Sequence, residues 1–227
     1  MTPVEIEALR LSLEVAALAT GASLPFAIAI AYALARWRFP GQAAVNALVH
    51  MPLVLPPVVV GYFLLLLFGA RGALGHWLDV VFGVRLVFTT KGAALAAAVM
   101  SFPLMVRAIR LALEAVDSGL EQAARTLGAT PWDTFRSVTL PLMLPGILSG
   151  AVVAFAASLG EFGATITFVS NIEGETRTLP LAIYTATQMP DGDAIAARLV
   201  AIAFALAVAM LLLAEWLARR VERAIGR

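Results

Sequence analysis

Long uncharged apolar segments constrain this chain more than any other feature. The segment Val15–Ala35 carries no charged residue and, as a helix, is long enough to cross the roughly 30 Å hydrocarbon layer of a bilayer. Comparable segments recur and predict about five membrane-spanning helices, at about residues 11–35, 47–68, 91–113, 142–160 and 195–218. Hydrophobic residues make up 61% of the chain and charged residues 14%, whereas soluble domains have about 45–50% and about 25%. We therefore expect an all-α integral membrane protein in which residues 1–227 form one transmembrane helix bundle.

Several classes of function are not supported by the sequence. The chain has no cysteine, and its two histidines, His50 and His76, have no partner at metal-ligand spacing. It has no glycine-rich phosphate-binding loop and no basic run of the kind that binds nucleic acid. We expect no catalytic residues, no metal site and no cofactor in this chain, and no nucleic-acid partner.

Three prolines interrupt the second predicted span, at Pro52, Pro56 and Pro57. Each proline removes a backbone hydrogen bond, so the three cannot all lie inside a regular helix. Irregular backbone at membrane depth is tolerated only where protein or a water-filled cavity covers it. One interpretation is therefore a bent segment beside a translocation pathway. The other is an entry loop, with the helix proper beginning near Val58.

Residues 120–141 form the longest polar-containing interval between two apolar segments and are patterned as two short amphipathic helices. Asp117 or Ser118 can cap the first helix, and Gly128 follows its C-terminus. Its apolar stripe has helical spacing. The stripe consists of Leu120, Ala123, Ala124 and Leu127. Such a pair of helices predicts a docking surface for a soluble partner.

The second short helix has its own start and stop signals. Thr130 can cap it, with Pro131 at its first position. Leu140-Pro141 is expected to end it, because the residue before proline is pushed out of the helical region. The fourth span is then expected to begin after Pro145-Gly146.

The basic residues predict the orientation of the five spans. Of the sixteen Lys and Arg residues, ten fall on one side of the membrane and six on the other. The side with more basic residues is the cytoplasmic side. The ten are Arg36, Arg38, Arg107, Arg110, Arg125, Arg136, Arg219, Arg220, Arg223 and Arg227. The N-terminus is thus expected outside, the C-terminus and the loop 114–141 in the cytoplasm, and 161–193 as an external excursion with short helices.

The docking segment resembles the coupling loop of ABC-transporter permeases. That loop has the pattern Glu-Ala-Ala, three residues, Gly, nine residues, Ile, one residue, Leu-Pro. Here the matching positions are Gln122-Ala123-Ala124, Gly128, Val138 and Leu140-Pro141. Gln122 replaces the glutamate, with Glu121 directly before it, and Val138 replaces the isoleucine. The resemblance implies contact with an ATPase through Glu121, Gln122, Ala123, Ala124, Gly128, Ala129, Pro131, Trp132, Phe135, Leu140 and Pro141.

The segment 158–180 is similar to the signature region of molybdate ABC permeases. Gly-Glu-Phe-Gly-Ala at 160–164 is shared with sulfate permeases, and the continuation Ser-Asn-Ile-Glu-Gly-Glu-Thr-Arg-Thr at 170–178 points to the molybdate branch. The resemblance implies an ABC importer permease fold in the bacterial inner membrane and molybdate as substrate. It implies a homodimer with two ATPase subunits, which carry ATP and Mg²⁺, and a periplasmic oxyanion-binding protein. Sulfate, thiosulfate or tungstate is the alternative substrate; a non-ABC carrier or scaffold is the alternative class.

A pathway for an oxyanion favours neutral polar groups. A carboxylate near molybdate would repel it, so we interpret Glu161 as a structural partner of an arginine or of a helix N-terminus. Hydroxyls, glycine backbone and the proline break are better candidates for lining the pathway. These residues are Ser158, Gly163, Thr165, Thr167, Ser170, Pro56 and Pro57.

Overall fold

The computed structural model describes residues 2–225, and the regular elements in that part of the chain are helices. In chain order they are α1 (Pro3–Arg36), α2 (Gln42–Val54), α3 (Pro57–Phe68), α4 (Ala73–Phe82), α5 (Thr90–Glu114), α6 (Ser118–Thr126), α7 (Pro131–Thr134), α8 (Leu140–Leu159), α9 (Gly163–Val169), α10 (Leu179–Thr187) and α11 (Asp193–Ile225). A π-helical turn, Phe135–Thr139, joins α7 to α8. Arg227 of the predicted basic tail lies outside the described residues.

The prediction of about five spans is confirmed. By length and composition, α1, α5, the continuous helix Pro131–Leu159 and α11 can each cross a membrane. Together α2 and α3 are also long and apolar enough to count as a fifth span, and the bend of 117° between them makes it a broken span or a re-entrant loop.

The break between α2 and α3 decides between the two interpretations of the proline-rich segment. Residues 42–54 are helical through Pro52, the chain turns at Leu55-Pro56, and Pro57 occupies the first turn of α3, where its missing N–H costs nothing. The bent segment is therefore present. The alternative is wrong about the residues before the break, which are helical rather than an entry loop, but its start for the following helix is confirmed, since α3 begins at Pro57.

The helix that contains Leu140 and Pro141 does not end there, so the predicted stop at Leu140-Pro141 and the predicted start after Pro145-Gly146 are wrong. The chain is helical from Pro131 to Leu159. The intervening π-helical turn accommodates the proline: the N–H of Leu140 donates to the carbonyl of Phe135, five residues back. Such a turn shifts the hydrogen-bond register by one residue, so a helix can continue past a residue that lacks an N–H.

Small residues let the three central helices α1, α5 and α8 pack closely. Ala27 and Ala31 of α1 and Ala154 of α8 are fully buried with Met105 and Ile109 of α5. A Cβ added to Gly150 of α8 would lie 3.2 Å from the Cβ of Ala108. Because lipid tails are as apolar as the helices, close van der Waals contact is a main source of helix association in a membrane.

The segment 161–193, expected to be an external excursion, begins inside the bundle. Its first helix, α9, packs against α3 and α5, and four of its seven residues are buried. Only after Val169 does the chain leave the core, through an irregular segment to α10. That helix packs on α1 and α11, and the backbone N–H of Leu179 donates to the buried hydroxyl of Ser12 at 2.7 Å.

Candidate functional site

The predicted docking helices are present, and their local signals act as expected. The carboxylate of Asp117 accepts from the N–H of Gly119 at 2.8 Å and so caps α6. Gly128 follows α6 with φ +91°, a backbone conformation that residues other than glycine rarely adopt. Thr130 and Asp133 form a reciprocal capping box at the start of α7.

The two helices present an exposed face that we call the coupling surface. It includes two large apolar side chains, Leu127 at 89% exposure and Trp132 at 67%. An exposed apolar patch of this kind at a turn between helices is typical of a protein contact surface. Its members are Leu120, Gln122, Ala123, Leu127, Gly128, Pro131 and Trp132.

The other predicted coupling residues lie behind or beside that surface. Ala124, Ala129, Phe135 and Leu140 are partly buried, and Pro141 is exposed on the continuing helix. Phe135 stacks with Trp132, with ring centroids 5.7 Å apart, and meets Tyr32 of α1 edge to face at 5.5 Å. This aromatic contact holds α7 against α1.

Glu121 points inward, unlike its exposed neighbour Gln122. Its Oε1 accepts from Nη2 of Arg36 at 3.0 Å and from the hydroxyl of Thr139 at 2.6 Å. The same Nη2 lies 3.4 Å from the carbonyl of Leu113 near the end of α5. The two charged side chains are 24% and 16% exposed, so water screens them less than a surface pair.

Neither Arg36 nor Thr139 was among the predicted coupling residues. Arg36 was counted among the basic residues that set the orientation, and Thr139 falls at a position that the coupling pattern leaves free. The contact between Arg36 and Glu121 joins residues 85 positions apart. No periodicity or capping rule reaches that far.

Three of the predicted pathway residues, Pro57, Gly163 and Thr167, lie where α9 packs against α3. A Cβ added to Gly163 would lie 2.8 Å from the Cβ of Pro57, which follows Pro56 directly. The hydroxyl of Thr167 donates to the carbonyl of Gly163 at 2.8 Å. A Cβ on Gly61 of α3 would lie 2.6 Å from the carbonyl oxygen of Ala164 and 2.8 Å from the Cβ of Thr167. Glycine is therefore required on both helices for this approach.

The remaining predicted pathway residues are separate from that contact. The hydroxyl of Ser158 is buried and donates to the hydroxyl of Ser101 on α5 at 3.2 Å. Thr165 is 1% exposed. Ser170 is exposed at the opposite end of α9, with φ +65° and ψ −163°, a region that residues other than glycine seldom occupy.

Glu161 binds a helix N-terminus, as predicted. Its Oε1 accepts from the backbone N–H of Ala164 in the first turn of α9 at 2.7 Å. A carboxylate at this position also interacts favourably with the positive end of the helix dipole. Across residues 2–225, no group of three or more His, Asp or Glu residues is placed to hold a metal ion.

Comparison with known proteins identifies the family. The sequence profile of the family described as "Binding-protein-dependent transport system inner membrane component" matches residues 23–224, which is most of the chain. The chain belongs to this family. As a member of it, the chain is a multi-pass membrane component of a transport system.

Two curated relatives in this permease family come from Escherichia coli K12. The chain is 60% identical to the molybdenum transport system permease protein ModB over 227 residues, which cover 100% of this chain and 99% of ModB. It is 37% identical to the sulfate transport system permease protein CysT over 199 residues, which cover 86% of this chain and 72% of CysT.

The fold also matches that of a solved transporter. The MetNI methionine ABC transporter in an inward-facing conformation superposes with a TM-score of 0.76, covering 97% of this chain and 99% of that chain at 18% identity. At this identity the likeness concerns the fold. The prediction of an ABC permease fold is thus confirmed.

Proposed function

We propose that this chain is the membrane-spanning permease subunit of an ATP-driven molybdate importer. The observation that carries the proposal is its 60% identity with a molybdenum permease over the whole length of both chains. Identity with the sulfate permease is 37% over a shorter alignment, which favours molybdate over sulfate or thiosulfate. Tungstate is the other alternative, because it is a tetrahedral dianion of nearly the same kind.

The coupling surface is the proposed docking site for the ATPase. Its apolar residues Leu127 and Trp132 support this role, because they stay largely exposed, at 89% and 67%, even though Trp132 stacks on Phe135. Glycine at position 128 supports it too, since the positive φ turns the chain sharply between α6 and α7 and leaves the turn open. Gln122 and Ala123 then supply the face of α6 that the ATPase contacts, and Ala124 lies partly buried beside it.

ATP hydrolysis takes place, in this proposal, on two separate ATPase subunits that carry ATP and Mg²⁺. The chain contributes no catalytic residue and no cofactor of its own. The sequence supports this division of labour, because it contains no Gly-x4-Gly-Lys-Ser/Thr phosphate-binding loop.

The proposed orientation places the coupling surface in the cytoplasm and the N-terminus outside, in the bacterial inner membrane. The excess of arginine on the side of the coupling surface supports it. The contact between the end of α1 and α6 supports it as well, because Arg36 and Glu121 then lie on one side. A periplasmic oxyanion-binding protein would meet the opposite end of the bundle.

The chain acts as a homodimer in this proposal, with the pathway between the two copies. The broken span supports a role in the pathway: none of the residues of α2 is buried, and Pro56 and Pro57 are exposed. Of the candidates beside them, Gly163 and Thr167 are partly buried on α9 and Thr165 is buried there. Ser158 and Ser170 stay candidates at the two ends of the segment. The hydroxyls of Thr167 and Ser158 already donate hydrogen bonds within the chain. They would therefore bind an anion weakly, as a transport pathway requires.

The experiment that tests this function is uptake of labelled molybdate by proteoliposomes that contain the chain, its ATPase and its binding protein. We expect uptake to require ATP and to resist an excess of unlabelled sulfate, while tungstate competes if the two are not distinguished. Suppression of molybdate uptake by sulfate would indicate a sulfate permease instead. Uptake that persists without the ATPase would contradict an ABC permease and favour an independent carrier.

A further inference from the structure

We infer that Arg36, Glu121 and Thr139 form a rigid link that makes α6 move together with the membrane-spanning helices α1 and α8 during transport. This inference rests on the proposed function and concerns how the coupling surface acts on the pathway. Arg36 and Thr139 are thereby assigned as positioning residues; neither belongs to the coupling surface.

The geometry of Glu121 is the first argument. One oxygen, Oε1, accepts a hydrogen bond from Arg36 at 3.0 Å and another from Thr139 at 2.6 Å. Hydrogen bonds between charged groups are stronger and more directional than neutral ones. The carboxylate thus fixes its own helix α6 to two partners on two different elements.

The identity of those elements is the second argument. Arg36 is the last residue of α1, and its Nη2 also approaches the carbonyl of Leu113 near the end of α5. Thr139 is the last residue of the π-helical turn that leads into α8. The carboxylate of Glu121 therefore joins α6 to the ends of two spans, α1 and α8, and Arg36 extends the contact to α5.

The contrast between Glu121 and Gln122 is the third argument. These neighbours lie on different faces of α6: Gln122 is exposed, whereas the Glu121 side chain is 16% exposed. An ATPase that binds the exposed face of α6 leaves the contacts of Glu121 in place. A movement of the docked helix can then reach α1 and α8 as a rigid-body displacement, because packed elements transmit motion without deforming continuously.

The alternative is that the cluster only stabilises the resting structure. The two roles differ in one measurable quantity, the amount of molybdate transported per ATP hydrolysed. A stabilising contact lowers the quantity of folded protein and leaves this ratio unchanged. A mechanical link lowers the ratio when it is broken, because the ATPase then cycles without moving the pathway.

The first experiment compares Glu121→Gln and Thr139→Val with the matched control Glu114→Gln. Glu114 is also an ion-paired carboxylate near the end of α5, but it pairs with Arg110 within the same helix at 2.7 Å. In proteoliposomes, we expect Glu121→Gln to keep its ATPase bound and to lower molybdate per ATP about tenfold, as loss of a charge-assisted hydrogen bond between partly buried groups would do. We expect a smaller loss, about threefold, from Thr139→Val, and no change from Glu114→Gln.

The second experiment distinguishes loss of the link from misfolding of the variant, because a correctly folded variant can be rescued by a crosslink. The natural chain has no cysteine, so the double variant Arg36→Cys/Glu121→Cys can be joined specifically by a short bis-maleimide. We expect a low transport ratio before crosslinking and recovery afterwards, because a covalent bridge replaces the ion pair.

Four outcomes separate the possibilities. Crosslinking that blocks transport would show that α6 moves relative to α1, and would overturn the inference. A ratio in Glu121→Gln equal to that in Glu114→Gln, or loss of ATPase binding in Glu121→Gln, would overturn it as well. Failure of the unmodified protein to transport molybdate with ATP would instead contradict the proposed function.

Discussion

Gly163 lies so close to Pro57 that a Cβ added to it would be 2.8 Å from the Cβ of the proline. The two residues belong to separate segments, and both were predicted from sequence to border the pathway. Their contact joins the start of α9 to the start of α3, and Gly61 tightens it one turn further on.

Alanine at Gly61 should loosen the contact between α3 and α9. Its Cβ would lie 2.6 Å from a backbone oxygen of Ala164, which cannot move aside as a flexible side chain can. We expect Gly61→Ala to lower the free energy of unfolding by about 1–3 kcal/mol and to reduce molybdate uptake. Thermal unfolding in detergent and uptake in proteoliposomes measure the two effects.

Gly21 provides the control for that substitution. It lies in α1, and a Cβ there would meet no atom within 4 Å. Gly21→Ala should leave uptake unchanged and should not destabilise the protein, since alanine favours a helix. Equal destabilisation by the two substitutions would contradict the assigned contact.

Valine at Gly128 should weaken binding of the ATPase. The positive φ of +91° at this position costs an ordinary residue roughly 1–2 kcal/mol, so the turn between α6 and α7 would rearrange. We expect Gly128→Val to be inserted in the membrane and to retain little co-purifying ATPase.

The matched substitution is Gly83→Val, because Gly83 has φ +64° at the end of α4 and also faces open space. The backbone strain is comparable, but this turn is far from the coupling surface in the chain. ATPase recovery with Gly83→Val should equal that of the natural protein. A loss of ATPase in both variants would point to general destabilisation.

Removal of the Ser158 hydroxyl tests whether this residue lines the pathway or joins two helices. Its side chain donates to Ser101 in a buried contact between α8 and α5. If the contact only joins helices, Ser158→Ala should cost about 0.6 kcal/mol of stability, a typical value within membranes, and uptake should stay near normal. Adding Ser101→Ala should cost less than the sum of the two single changes. A changed affinity for molybdate in Ser158→Ala would assign the residue to the pathway.

Arg198 should stabilise the N-terminal part of α1 more than its surface position suggests. Its partner Glu5 is 2% exposed and accepts from Arg198 Nη2 at 2.9 Å. We expect Arg198→Ala to lower the unfolding temperature measured in detergent, since it leaves the carboxylate of Glu5 without its cation.

Arg219 is the comparison for Arg198. It pairs with Glu215 at 2.7 Å one turn away, where both side chains are more than half exposed. Arg219→Ala should change the unfolding temperature little. A similar loss of stability in the two variants would mean that burial of Glu5 does not determine the strength of its ion pair.

Local signals in the sequence anticipated much of the coupling region. The caps at Asp117 and Thr130 and the glycine at 128 were assigned correctly, because a cap depends on residues within three or four positions. The same local reasoning was wrong at Leu140-Pro141. The rule that a helix ends at the residue before proline applies to a regular α-helix. It does not hold here, because residues 135–139 form a π-helical turn.

The sequence alone determined that the chain has about five helices able to cross a membrane, and which segment resembles a coupling loop, because hydropathy, capping and motif spacing are properties of neighbouring residues. Tertiary structure decided that Glu121 pairs with Arg36, that Gly163 contacts Pro57, and that α9 folds back into the bundle. These contacts join residues 85 and 106 positions apart. They arise from close packing of small residues and from the need to pair polar groups away from water, and neither condition leaves a regular pattern along the chain.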